Sequence, residues 1–473
     1  MSTTEFITFI KDNPKLTILG VIFLILCIYN DHVKEQMKHP EKKDVKRIPP
    51  LSISRLKDAH GIVFGKKRKK VYYSDADKEG HVFVCASSGA GKTSALAIPS
   101  IRSFCKTIKG DKAIPNTCFC IDISGDIEPN CNIPNKLVWD VEDPNSIPYN
   151  IFAPIDAEPD PQKQNELLQK LAFIIMPDCC VEGSTSKWFD DSGRNILTAA
   201  LILYYHQGLD FVDICRKIKS LSAFDLFREI TDSGKDEAIM YIAQFSGTNE
   251  ANTAGCFQST CDAIMLYATH PIMQQIIRRP KDGEQSLTPS LLETHSLFLK
   301  VPDADTDVYG PILGMITSQT FDYCARRENG KLPHILFVLD EYASLRIGKT
   351  AILNAIRKYR KKGIRICILT QAETDIDILY GQDIREAILA NMKYKAVLGI
   401  TNPDSQEYFS KIIGEKEYRT QSSSFSHNST SMSYGTHKDR RIPPEAFGQL
   451  KDDLYVICDD GSYIKLQKNF YFK

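Results

Sequence analysis

The sequence predicts an α/β fold: a parallel sheet with helices on both faces, carrying an all-α insertion and preceded by a short apolar helix. Three observations lead there. A hydrophobic run, VFVC at 82–85, passes through the small-residue turn ASSGAGKT into an apolar helical stretch. A second run, ILFVL at 335–339, ends in two carboxylates, Asp340 and Glu341. Between them, residues 159–279 carry apolar side chains at three- and four-residue spacing, with few strand candidates. Strands alternating with helices around a glycine-bearing turn argue for a parallel, doubly covered sheet.

Composition sets the bounds. At 473 residues the chain has room for two or three domains. Its 42% hydrophobic and 25% charged residues are those of a globular protein, which excludes a disordered or fibrous chain. Lys+Arg and Asp+Glu balance at 59 each, so any hold on nucleic acid must come from local patches or an assembled ring. The 14 cysteines form no CxxC pair and the 10 histidines are scattered. Reduced thiols used as small core residues, without structural zinc, are expected.

Residues 16–29, LTILGVIFLILCIY, are uncharged. At about 1.5 Å per residue they span roughly 21 Å, short of a ~30 Å hydrocarbon core, so a buried helix stays an alternative. No small-x-small site follows, which argues against a cleaved signal. Lys34, Lys38, Lys42, Lys43, Lys46 and Arg47 follow the run, against Lys11 and Lys15 before it. That excess puts the following chain in the cytoplasm. The expectation is a single-pass anchor in the inner membrane, with residues 1–50 comprising this anchor and a polar linker. Residues 51–157 are expected as the first part of a nucleotide-binding α/β domain, 158–285 as the inserted all-α domain, and 286–473 as the second part.

AHGIVFGKKRKKVYY at 59–73 predicts two short strands joined by a basic turn, most simply a solvated loop. Residues 81–100 then have the strand–loop–helix setting of a phosphate-binding loop. Ala86, Ser87, Ser88, Gly89, Ala90, Gly91, Lys92, Thr93 and Ser94 line it. Small residues let backbone N–H groups approach phosphates, and the helix start adds positive potential. Lys92 would reach the β- and γ-phosphates and the Thr93 hydroxyl would hold Mg²⁺. The strict pattern has Gly where this chain has Ala86; a methyl restricts the loop without removing an amide donor.

TCFCID and KLVWD, at 117–122 and 136–140, read as further strands, and within the insertion Trp188 and Phe189 read as core anchors. HSLFLKVP at 295–302 resumes the sheet. In HILFVLDEYASL, carboxylates at the end of a buried strand are more than packing. Asp340 would hold Mg²⁺ through water, and Glu341 would polarise an attacking water as general base. Arg357, Lys358, Arg360, Lys361 and Lys362 form a basic helix, either a solvated face or a grip on backbone phosphates. The strand IRICILT is followed by Gln371, which suits a γ-phosphate or water contact and equally a helix cap. The Ser-rich residues 420–436 are expected as a flexible loop. LYVICDDGSYIKLQ at 454–467 predicts a hairpin turning at 459–462.

The order of these motifs resembles the TraG/TraD-type coupling proteins of conjugation and type IV secretion over nearly all of residues 59–450. AHGIVFG, the phosphate loop with its Ile98-Pro99 step, DISGD at 122–126 and IPYNIFAP at 147–154 match in turn. VLDEYASL followed by GIRICILTQAETDIDILYG at 363–381 is the most specific stretch, and RRIPPEAF at 440–447 closes the match. The resemblance implies a RecA-like motor with ATP and Mg²⁺ bound between subunits of a homo-hexameric ring on the inner membrane. It implies an all-α domain facing the cytoplasm, and as partners single-stranded DNA with its relaxase and the components of a type IV secretion channel. It also implies an arginine reaching into the neighbour's site; Arg360 is the best match, with Arg357 and Arg365 as rivals. The chain departs from the family at Ala86. It also offers one short membrane segment where members commonly have two around a small external domain. The leading expectation is an ATPase that drives relaxase-bound single-stranded DNA to the channel. The alternatives are a pump of protein or double-stranded DNA, as in FtsK- and HerA-like motors, and a low-turnover nucleotide-binding docking receptor.

Overall fold

A computed structural model describes residues 25, 48–78, 80–107, 115–177, 185–247, 249–426 and 429–473. The anchor expected at 16–29, apart from Ile25, lies outside the described residues, as do residues 31–47 of the linker and Cys179 and Cys180. No helix among the described residues is long and apolar enough to cross a membrane.

The strands are β1 (Ser52–Ser54), β2 (Gly61–Lys67), β3 (Lys70–Asp75), β4 (His81–Cys85), β5 (Thr117–Asp122), β6 (Lys136–Asp140), β7 (Ser296–Lys300), β8 (Ile335–Leu339), β9 (Ile364–Thr370), β10 (Met392–Val397), β11 (Glu415–Ser426), β12 (Ser429–Arg440), β13 (Asp453–Cys458) and β14 (Tyr463–Gln467). A 12-stranded sheet runs in the order β1-β3-β2-β14-β13-β10-β4-β9-β8-β5-β7-β6. From β10 to β6 every pairing is parallel. From β10 through β13 to β1 every pairing is antiparallel. The sheet is therefore mixed, a large parallel part extended on one side.

Every residue of β4, β5, β8 and β9 is buried. A strand covered on both faces has no side facing water, and these four are accordingly runs of Val, Ile, Leu, Phe and Cys with few polar residues. Alternate residues feed two cores: in β8, Ile335, Phe337 and Leu339 enter one, and Leu336 and Val338 the other. The 11 described cysteines are free and buried, small core residues as expected.

Helix α1 (Ile98–Phe104) follows the phosphate loop and lies along β2. Two of its serines bond to backbone groups on or beside that strand. Ser100 Oγ accepts the Val63 N–H at 3.1 Å and donates to Val63 O at 3.2 Å; Ser103 Oγ accepts the Gly61 N–H and donates to Ala59 O at 3.0 Å. Buried serines on an apolar helix face are explained by this need of the backbone for partners.

Among the described residues between β6 and β7 there is no strand; the chain forms α2 (Pro161–Ile175), α3 (Thr185–Tyr205), α4 (Phe211–Ser220), α5 (Ala223–Asp232), α6 (Glu250–Ala263) and shorter helical turns. Side-chain caps set the starts of α2, α4, α5 and α6, with Asp160 before Pro161, Asp210, Ser222 and Asn249 each accepting an early backbone N–H. The IPYNIFAP motif ties these helices to the α/β part. Tyr149 donates its hydroxyl hydrogen to Gln319 Oε1 at 2.6 Å, on α7 (Thr306–Ala325), and Gln319 Nε2 returns to Ile151 O at 2.9 Å. Trp188 departs from expectation. Phe189 packs on the core, its ring against Gly255, but Trp188 stands on the outer side of α3, 47% exposed.

Residues 414–441 belong to a unit of their own. There β11 and β12 pair antiparallel from Glu415↔Arg440 to Ser426↔Ser429. The flexible loop expected at 420–436 is thus corrected to a long two-stranded ribbon. Serine content suggested a loop, but Thr and Tyr occur in both strands, and strand formation rests on backbone pairing that composition does not reveal.

Candidate active site

The phosphate loop leaves β4 at its C-terminal end. The Ala86 N–H donates to Thr370 O at 3.1 Å and the Ser87 N–H to Gly399 O at 2.8 Å, so these two residues continue the sheet. Ala86 is fully buried in a hydrophobic core and is not among the left-handed residues, so the fold asks for no glycine there. Left-handed backbone is needed further on, and glycine supplies it, with φ of 73° at Gly89 and 92° at Gly91. Lys92–Ala97 then form a π-wound turn leading into α1. The amides of Lys92, Thr93 and Ser94 lie in the first turn, where no intrahelical acceptor exists, which suits them as donors for an anion.

Three of the predicted side chains meet here from the ends of adjacent strands β4, β8 and β9. Lys92 Nζ donates to Glu341 Oε2 at 3.1 Å, and Gln371 Nε2 donates to Glu341 Oε1 at 3.2 Å. Asp340, just before Glu341, is 4% exposed. Burial pushes its carboxyl up to about 6 against the opposing pull of Lys92, and Glu341 and Asp122 add to the rise. Asp122 ends β5 in the same way; burial raises its pKa while the Glu128 N–H, at 2.7 Å, and the Ser124 hydroxyl steady its charged form. Buried carboxyl oxygens beside a row of helix-start amides suit a hard divalent cation carried on a phosphate. The residues present therefore fit a Mg²⁺–nucleotide.

Glu341 holds left-handed backbone, φ 45° and ψ 52°, a costly geometry for a non-glycine residue. Its neighbours hold the segment in place. The Ser344 N–H donates to Glu341 O at 2.9 Å. Tyr342 donates its hydroxyl hydrogen to the Tyr380 hydroxyl at 3.2 Å, and Tyr380 donates to Ile347 O at 2.5 Å. Asp375 pins the turn that carries Gln371: its Oδ2 accepts the Thr370 hydroxyl at 2.7 Å and the Ala372 N–H at 2.8 Å. Of the two roles left open for Gln371, helix capping falls away. The helix Asp375–Tyr380 has no side-chain cap, and the Gln371 amide points to Glu341.

Arg360 does not join this group. It sits exposed in the turn Tyr359–Lys362 before β9, at the opposite end of a strand roughly 20 Å long. Its rival Arg365 is 2% exposed and committed to backbone carbonyls, donating to Lys78 O at 2.8 Å, Arg360 O at 3.1 Å and Ala76 O at 3.2 Å. Arg357, Lys358 and Lys361 are exposed, whereas the Lys362 ammonium bonds to Arg327 O and leaves the basic face. Sequence reasoning missed Asp122 and Asp375 as site residues. Asp122 was findable by the same sign as Asp340, a carboxylate ending a buried strand. It also missed residues 469–473, which lie against the loop, where the Tyr471 N–H donates to Ser94 O at 3.0 Å. The run Phe470-Tyr471-Phe472 was their signal.

The family model described as "Type IV secretory system Conjugative DNA transfer" matches residues 34–473. Protein VirD4 of Rhizobium rhizogenes is 22% identical over 444 residues, 89% of this chain and 63% of VirD4. VirD4 of Agrobacterium fabrum is 21% identical with the same coverage. The chain thus spans less than two thirds of these relatives' length. Among solved structures, the plasmid coupling protein TrwB shares the fold. Its complexes with a non-hydrolysable ATP analogue and with ADP and Mg²⁺ each superpose with TM-score 0.64 at 16% identity, covering 82% of this chain and 85% of TrwB. With the match extending over nearly its whole length, the chain belongs to the type IV secretory system conjugative DNA transfer family.

Proposed function

We propose that this chain is an ATP-hydrolysing motor, anchored in the cytoplasmic membrane by residues 16–29, that recruits relaxase-bound single-stranded DNA and drives it to a type IV secretion channel. The observation that carries the hydrolytic part is the meeting of Lys92, Glu341 and Gln371 at the ends of three adjacent strands. TrwB structures holding an ATP analogue and ADP with Mg²⁺ support the choice of ligand. Mg²⁺, held by Thr93 and by Asp340 through water, would neutralise charge on the β- and γ-phosphates. With phosphates on the loop amides, Lys92 turns from Glu341 to the γ-phosphate, and Glu341 is freed to take a proton from water that Gln371 orients. Arg360, remote from its own chain's loop, serves a neighbour's site in a homo-hexamer. Exposed Arg357, Lys358 and Lys361 grip the DNA backbone without reading sequence.

The test is ATP turnover by the full chain, with and without single-stranded DNA, beside Glu341→Gln. Removing a general base costs about 10²–10⁴-fold. DNA-stimulated turnover in the parent, lost in the variant while ATP still binds, is expected. ATP binding without turnover by the parent under ring-forming conditions would replace the motor with a docking receptor.

A further inference from the structure

Residues 469–473 follow the last strand and lie against the phosphate loop. Lys468 anchors them: its N–H donates to Asp452 O at 2.8 Å, and its buried ammonium donates to Lys451 O at 2.6 Å. Tyr471 then bonds to Ser94 O, with the Arg102 guanidinium 5.1 Å over its ring. This lays Phe470 on the phosphate loop. A Cβ built on Gly91 would sit 3.3 Å from its ring. Phe472 lies beside Phe470, ring centroids 5.4 Å apart and planes 32° from parallel, yet is 61% exposed. Phe470 is accounted for by packing on the core below it. Phe472 is not, since most of its ring faces water at the edge of the loop.

We propose that Phe470 and Phe472 form the base-binding subsite of the nucleotide site, with the flat base of a nucleoside di- or triphosphate stacked on Phe472 while its phosphates lie on the amides of Lys92, Thr93 and Ser94. This rests on the nucleotide reading of the loop. The chemistry fits in two ways. A phosphate chain bound at the helix start leaves its ribose and base to emerge beside Gly91, where the aromatic pair stands. Stacking on an aromatic face rewards any flat heterocycle and needs no hydrogen-bonding partner.

Binding of ATP and of inorganic tripolyphosphate to the full chain is measured by calorimetry, in the parent, Phe472→Ala and Phe472→Trp. The expected result is ATP binding weakened about tenfold or more in Phe472→Ala, the usual scale for losing one aromatic under a base. Tripolyphosphate binding stays within twofold of the parent, and Phe472→Trp keeps parental ATP affinity with its indole emission quenched by the nucleotide. Unchanged ATP affinity in Phe472→Ala overturns the base subsite and leaves the phosphate loop standing. Equal losses for ATP and tripolyphosphate also overturn it, because the ring then shapes the loop and not the base. If the parent binds neither ligand, the nucleotide reading itself falls and the subsite with it.

Discussion

His81 opens β4, the strand that delivers the phosphate loop, and shows how one titratable residue supports the site from outside it. Its Nδ1 accepts the Ile366 N–H at 3.0 Å, which leaves Nε2 protonated to donate to Ile356 O at 2.9 Å. The ring is fully buried, and burial, aided by Arg365 and Arg360, lowers its pKa from 6.5 to about 3. In the unfolded chain the imidazole takes up its proton near pH 6.5; in the fold it stays neutral down to about 3. The unfolded state therefore binds the extra proton throughout that window, and this contribution to stability is complete above 6.5 and lost progressively as pH falls toward 3. Chemical denaturation between pH 6 and 4 should show a slope shallower by roughly 1.4 kcal/mol per pH unit in His81→Gln than in the parent. Parallel slopes would mean that the native ring takes up its proton. His81 carries no pattern that marks it in the sequence; only its two backbone partners, from distant segments, give it this role.

Helix α1 and strand β2 make the corresponding case for elements. The apolar stretch after the phosphate loop predicts the helix, and the run AHGIVFG predicts the strand, yet neither predicts that Ser100 and Ser103 bond to the backbone along β2. Ser100→Ala leaves the Val63 N–H and C=O without their partner in a buried place. Stranding buried polar groups costs about 1–3 kcal/mol, so a clear fall in the urea midpoint is expected. Ser88→Ala, on an exposed loop residue, should leave the midpoint where it is. The ribbon β11–β12 is the opposite lesson, an element that composition hid. Serine is a poor strand marker, and twelve paired positions on each side outweigh that local preference.

At the scale of the whole molecule, the proposal that an arginine serves a neighbouring copy is the point to test. Arg365 is spent on its own chain's carbonyls and Arg360 is exposed far from its own loop. Arg360→Ala should lower kcat by about 10³-fold with ATP affinity kept within twofold, and mixing it with Lys92→Ala should restore part of the turnover. A variant with parental kcat would remove Arg360 from catalysis. The parallel sheet, the phosphate loop, the acidic strand end and the closing hairpin were all legible in the amino-acid order. Each is a local pattern, because burial on two faces demands an unbroken apolar run and a phosphate demands consecutive amides. The meeting of groups was not legible. Lys92 and Glu341 are 249 residues apart, and nothing near either one states that the carboxylate will lie between Lys92 and Gln371. Nor does spacing tell a buried Arg365 from an exposed Arg360, or place Phe470 against Gly91. By itself the sequence determined most of the elements, the β11–β12 ribbon excepted, and the chemistry they carry. The tertiary structure alone decided which of those groups touch, because long-range contacts depend on how strands order themselves in the sheet.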